Sequence, residues 1–225
     1  MNILRDSGAR ERERMVKEQI EARGIYNERL LEVMRRVPRH LFVPDNYRSE
    51  AYQDYPLPIA CNQTISQPYM VAYMTQLLHL NGDETVLEVG TGSGYQAAIL
   101  AEMCQKVISL ERYAELTESS KTLLTRLKYK NVEIYHTDGS QGWPVAAPYQ
   151  GILVTAAAPS VPQPLLQQMA DGGRMVIPVG PRSAQELQLW ERQGREFHHQ
   201  VMLPVVFVPL RGMLGWNEDN WKGKS

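Results

Sequence analysis

The chain has 225 residues, 43% hydrophobic and 22% charged, with 24 Lys and Arg against 25 Asp and Glu for a formal net charge of −1. That is room for one large domain of ordinary globular composition, and the charge balance supplies no long-range attraction toward nucleic acid or an anionic membrane. No apolar run reaches the roughly 18 residues of a bilayer span, the N-terminal stretch lacks the apolar core of a secretory signal, and two cysteines make neither a disulfide framework nor a zinc set, so a cytoplasmic protein is expected.

Residues 1–80 read mostly as helix and irregular structure. In "RERMVKEQIEARG", Met15, Val16, Gln19, Ile20 and Arg23 fall on neighbouring helical faces, and Gly24 is a stop. Asn27 is placed to cap the next helix, whose stripe is Leu30, Leu31, Met34 and Val37 and which Pro38 ends. Residues 38–65 hold four prolines and three tyrosines (Pro38, Pro44, Pro56, Pro58; Tyr47, Tyr52, Tyr55) and predict ordered irregular chain wrapped over a surface. "QPYMVAYMTQLLHL" then predicts a helix stopped by Asn81-Gly82.

From residue 85 the pattern alternates: "TVLEVG", "KVISLE", "VEIYH", "GILVTAA" and "RMVIPVG" as strands, with helices at "YQAAILAEMC", "YAELTESSKTLLTRLKY" and near 162–170 between them. Strands alternating with helices of this length predict an α/β fold with a parallel, helix-covered sheet over 81–225, with two or three antiparallel strands from residue 185 closing one edge.

"LEVGTGSGYQ" places Gly90, Gly92 and Gly94 between the first strand and its helix, where a backbone free of side chains can turn sharply and admit a ligand. Glu111 ends the second strand, and a carboxylate there can take both hydroxyls of a ribose. The dinucleotide fingerprint would need a third glycine at the position of Tyr95, so the spacing argues against a nicotinamide dehydrogenase. The order E-x-G-x-G-x-G (Glu88 to Gly94), an acidic strand-two end and Asp138-Gly139 after strand three resembles the cofactor site of Rossmann-like methyltransferases that use S-adenosylmethionine.

The acceptor side must be read elsewhere. No N/D-P-P-Y/F/W motif and no basic stripe interleaved with aromatics is present, which disfavours nucleic acid. Ser66, followed by Gln67-Pro68-Tyr69, reads either as the N-cap of its helix or as one of several neutral donors, with Gln63 and Thr64, gathered at a helix N-terminus for a carboxylate. "QTISQPYM" together with "RVPRHLFVP", "AYQDYPLPI", "ILVTAAAPSVPQPLLQQMADGGRMVIPVG" and "FVPLRG" is similar to the protein-L-isoaspartate O-methyltransferase family over roughly residues 10–212.

The resemblance implies methyl transfer from S-adenosylmethionine to the free carboxylate of L-isoaspartyl residues in damaged proteins and peptides, by a monomer without nucleic-acid or membrane partners and without a metal. Residues 1–80 would form the substrate side and 81–225 the cofactor core. Gly90, Gly92, Ser93 and Gly94 would border the methionine part of the cofactor, with Glu88 supporting the loop. Glu111, with Arg112 beside it, would hold the ribose, and Asp138 and Gly139 would meet the adenine. Gln63 and Thr64 would approach the cofactor from the acceptor side; Ser66 would act at the reacting carboxylate, with Thr64 and the backbone of Ala157 holding the substrate. His40, His79, His136, His198 and His199 are assigned no catalytic part. A methyltransferase of the same fold acting on a small metabolite, and a cofactor-binding module without activity, are the competing expectations; an open groove rather than a closed cavity beside the cofactor favours the peptide substrate.

Overall fold

A computed structural model of the chain describes residues 8–217. Helix α1 (Ala9–Met15) runs on through a π turn (Val16–Ile20) and a 3₁₀ turn (Glu21–Arg23) to Gly24 at φ +89°. Met15, Val16 and Ile20 are fully buried, as their spacing predicts. In α2 (Glu28–Arg36) the Asn27 side chain accepts from the Leu30 N–H, satisfying one of the orphan donors of the first turn. The proline-rich stretch is a set of 3₁₀ turns and one unforeseen two-residue hairpin, β1 (Leu57–Pro58) against β2 (Thr64–Ile65).

Helix α3 (Pro68–Leu77) departs from expectation at both ends. Gln67 occupies the cap position without a side-chain bond, and Ser66 stands one residue further out, so Ser66 is not the N-cap. The helix stops at Leu77, with His79 at φ +53°; Asn81 and Gly82 instead give their N–H groups to the Glu84 carboxylate at 2.6 and 2.8 Å.

The sheet is seven-stranded: β3 (Thr85–Val89), β4 (Lys106–Glu111), β5 (Val132–His136), β6 (Tyr149–Val154), β7 (Met169–Val179), β8 (Gln185–Gln193) and β9 (Glu196–Val205), in the order β5-β4-β3-β6-β7-β8-β9. The first five pair in parallel, and β8 and β9 close the edge antiparallel. Helices α4 (Tyr95–Met103) and α5 (Ala114–Arg126) connect the parallel strands, while α6 shortens to Gln163–Gln167 because the Gln168 carbonyl already accepts from Tyr149 N–H at the start of β7 pairing.

Successive strand residues point to opposite faces. Val86, Val107, Leu153 and Val176 join the core that also holds the N-terminal helices, whereas Leu87, Ile108, Ile152 and Met175 join the core under α6. The N-terminal helices therefore share a continuous apolar core with the sheet. Connections run from β3 outward through β4 to β5 and then return to β6 on its other side. Such a reversal opens a crevice at the carboxyl ends of the central strands, where ligands of open α/β sheets bind.

Candidate active site

The crevice is a pocket lined by Gly90, Thr91, Gly92 and Ser93 from the β3–α4 loop, by Glu111 and Arg112 at the end of β4, and by Gly139 after β5. Gln63, Thr64 and Ser66 close it from the N-terminal side, and Val208 to Arg211 from the C-terminal side. Of the histidines, none lines it.

The loop is shaped by backbone conformations that side chains resist. Gly90 has φ +98°, and a Cβ there would lie 2.3 Å from Thr155 Oγ1, whose hydroxyl donates to the Gly90 carbonyl at 2.7 Å. Gly94 (φ +84°) does not line the pocket; its bare Cα lets α4 start against Ser120 and Leu124 of α5. Glu111 Oε2 accepts from Gly92 N–H at 2.8 Å and Oε1 from Tyr113 N–H at 2.9 Å, so the carboxylate is fixed while each oxygen keeps accepting capacity toward the pocket.

Glu88 does not line the pocket. It is fully buried in β3 and accepts from Ser109, whose hydroxyl also bonds Thr91 of the loop at 2.5 Å. It is thus linked to the loop from beneath through Ser109 and Thr91. Burial pushes its carboxyl up to about 8, against the Ser109 hydrogen bond and with help from nearby Glu111, so it is protonated at neutral pH.

Two expected contacts are taken by the chain itself. Asp138 lies outside the pocket lining: its Oδ1 caps Ser140 N–H at 2.9 Å and its Oδ2 accepts from Met213 N–H at 2.7 Å. Partial burial pushes its carboxyl up, but these bonds prevail and hold it below the usual carboxylate range. Ala157 is fully buried, its N–H given to Val208 and its carbonyl accepting from Leu210 N–H, both at 2.8 Å. No backbone group of Ala157 is left for an extended substrate.

Sequence reasoning missed Arg39. It is fully buried, and donates from Nε to the Ala51 carbonyl and from Nη2 to the Ser66 carbonyl, each at 2.7 Å, with its guanidinium 4.9 Å from the Tyr95 ring centre. Burial lowers its pKa to about 10, which leaves it charged at neutral pH. The only local signal was a lone arginine inside an apolar "VPRHLFV" context.

A groove of about 920 Å³ adjoins the pocket, bounded by Arg23 and Tyr69 on one side and by Arg182 and Val206 on the other. Thr64, Ser66, Thr155, Val208 and Pro209 line both spaces and form the junction between them. None of these five is charged. The Ser66 hydroxyl makes no hydrogen bond among the described residues.

Residues 10–215 match the sequence profile of the family described as protein-L-isoaspartate(D-aspartate) O-methyltransferase. The chain belongs to that family. It is 54% identical over 95% of its length to the protein-L-isoaspartate O-methyltransferase of Methanospirillum hungatei, covering 99% of that protein. The protein-L-isoaspartate O-methyltransferase 1 of Syntrophobacter fumaroxidans is 53% identical over 91% of the chain and 96% of its own length. Among solved structures, a protein-L-isoaspartate O-methyltransferase superposes with TM-score 0.83 at 27% identity, covering 91% of this chain and 67% of the other. A Plasmodium falciparum relative, in complex with S-adenosyl-L-homocysteine, superposes with TM-score 0.77 at 25% identity, covering 89% and 98%. The family's members thus share this sheet, and the glycine-loop crevice is where the fold expects a ligand.

Proposed function

We propose that the glycine-loop pocket holds S-adenosylmethionine and that the adjoining groove presents an L-isoaspartyl carboxylate to it across Thr64 and Ser66. The chain is a protein-repair methyltransferase of its family: it transfers a methyl group from S-adenosylmethionine to that carboxylate in damaged proteins and peptides. The observation that carries the residue assignment is the uncharged junction of the two spaces, a groove of about 920 Å³ that shares five lining residues with the glycine-loop pocket.

The donor set fits the cofactor. Glu111 offers a fixed carboxylate for a ribose diol, and Gly90, Gly92 and Ser93 offer backbone to the amino-acid part. Arg112 and Gly139 stand at the nucleoside end of the same lining, with Asp138 acting one step removed through Gly139 and Ser140. When bound, S-adenosylmethionine supplies an electrophilic methyl group on a cationic sulfur.

An acceptor carboxylate with a pKa near ~4 is already ionised at neutral pH, so no residue need remove a proton. What the chain contributes is position and dryness. Ser66 and Thr64 give neutral hydroxyl donors that orient the carboxylate without locking it into an ion pair. Arg39 is a positioning residue: by holding the Ser66 carbonyl it sets the turn from which that hydroxyl projects. The N-terminal region to residue 80 supplies one wall of the substrate groove and closes the cofactor pocket through Gln63, Thr64 and Ser66, while Arg182 to Gln185 and Leu203 to Pro209 supply the groove's other wall.

The near-balanced charge of −1 and the free cysteines Cys61 and Cys104 support a cytoplasmic protein acting on polypeptide rather than on nucleic acid or membrane. No helix among the described residues is long and apolar enough to cross a membrane. The deciding experiment is labelled methyl transfer to an isoaspartyl peptide and to its normal aspartyl isomer. Transfer to the first alone is expected; equal transfer to both, or to neither, overturns the reading.

A further inference from the structure

A second cavity of about 610 Å³, sharing no lining residue with the glycine-loop pocket, lies between the N-terminal helices and the C-terminal end of α5. Its lining carries six cationic side chains, Arg12, Arg35, Arg36, Arg48, Arg126 and Lys128, and one acid, Glu102. This is a strong local asymmetry in a chain whose formal net charge is −1.

Arg12 is buried and committed, its Nε donating to the Arg35 carbonyl at 2.8 Å and its Nη1 to the Tyr52 hydroxyl at 3.1 Å. Arg35 pairs outward with Glu13 and Glu21, Arg48 with its own neighbour Asp45, and Arg36 with Glu102. These are solvent-facing pairs of the kind worth little, which an incoming anion can replace. Arg126 and Lys128 make no side-chain ion pair or hydrogen bond among the described residues. Lys128 is carried at φ +67°, a left-handed conformation uncommon for a residue other than glycine, fixed by its N–H to the Thr125 carbonyl. Leu41, Leu127 and Tyr129 give the cavity an apolar floor beneath the charged rim. The volume lies in the range of small-molecule sites.

Cationic side chains lining one cavity with Leu41, Leu127 and Tyr129 match a ligand with several phosphate oxygens and a flat organic portion. The geometry points to a binding site for a nucleoside polyphosphate, separate from the methyl-transfer centre. The rim engages the phosphates, Arg126 and Lys128 being the cations with no competing partner, and the floor receives the base.

The test is calorimetric titration of the full chain with ATP and with inorganic triphosphate, in the presence of saturating S-adenosylhomocysteine to fill the glycine-loop pocket. Both should bind, ATP more tightly, with affinity falling as salt rises. The Arg126→Glu/Lys128→Glu double variant should weaken both by about tenfold or more, and Arg126→Gln/Lys128→Gln by less, while methyl transfer to an isoaspartyl peptide stays unchanged. Absence of binding under saturating S-adenosylhomocysteine, or binding equally strong in the folded double variants, overturns the proposal.

Discussion

Arg39 reaches 27 positions along the chain to hold the carbonyl of Ser66 at 2.7 Å, from a position with no solvent exposure. A buried cation bound to two carbonyls fixes both turns at once, and losing it leaves those carbonyls without their donor. Arg39→Met should therefore lower stability by ~2–4 kcal/mol. In the variant that remains folded, KM for an isoaspartyl peptide should rise more than the dissociation constant for S-adenosylhomocysteine. Denaturant unfolding and steady-state kinetics check the two halves separately.

Ser66 lies outside its helix, and its hydroxyl is not used by the cap. A hydrogen bond from a hydroxyl to an ionised carboxylate contributes ~1.5–3 kcal/mol, so Ser66→Ala should cut turnover by roughly 10–100-fold with unaltered stability. Affinity for S-adenosylhomocysteine should hold within about twofold. A loss of cofactor affinity in place of turnover would assign the hydroxyl to the cofactor side.

The Glu111 carboxylate holds Gly92 N–H and faces the pocket. Glu111→Gln keeps the shape but removes the charge and replaces one acceptor by a donor. Hydrogen bonds to a charged acceptor contribute ~1.5–3 kcal/mol, so S-adenosylhomocysteine should bind about 10–100-fold more weakly, read by calorimetry.

Glu88 titrates near 8 when folded and near 4.5 when unfolded. The folded state therefore holds the extra proton between those values, and stability must fall as pH rises through that window. The slope approaches about 1.4 kcal/mol per pH unit where only the native state is protonated. Glu88→Gln, which keeps an acceptor for Ser109, should flatten this part of the profile. Denaturation midpoints followed from about pH 5 to 8 read the difference.

The sheet was legible because its signals are local: β-branched runs, glycines at strand ends, and an acid at the end of β4 each report on a few neighbouring residues. The Asn27 cap and the stripe of α2 were legible for the same reason. What escaped depended on partners far away in sequence. Arg39 finds Ser66 by folding of the irregular stretch, Asp138 is claimed by Met213 across 75 positions, and Ala157 by Val208 and Leu210. Ser66 satisfied the residue preference of an N-cap, yet Pro68 started the helix and left Gln67 at the cap position.

The bridge from Ala157 to residues 208–210 has a consequence for biosynthesis. Those residues emerge from the ribosome after every strand of the sheet; Val208 and Pro209 wall both the glycine-loop pocket and the adjoining groove, and Leu210 walls the pocket. A polypeptide interrupted at any point before them would lack one side of both compartments. Completing the sheet therefore does not complete either compartment: the last wall of both is added by chain that follows the final strand.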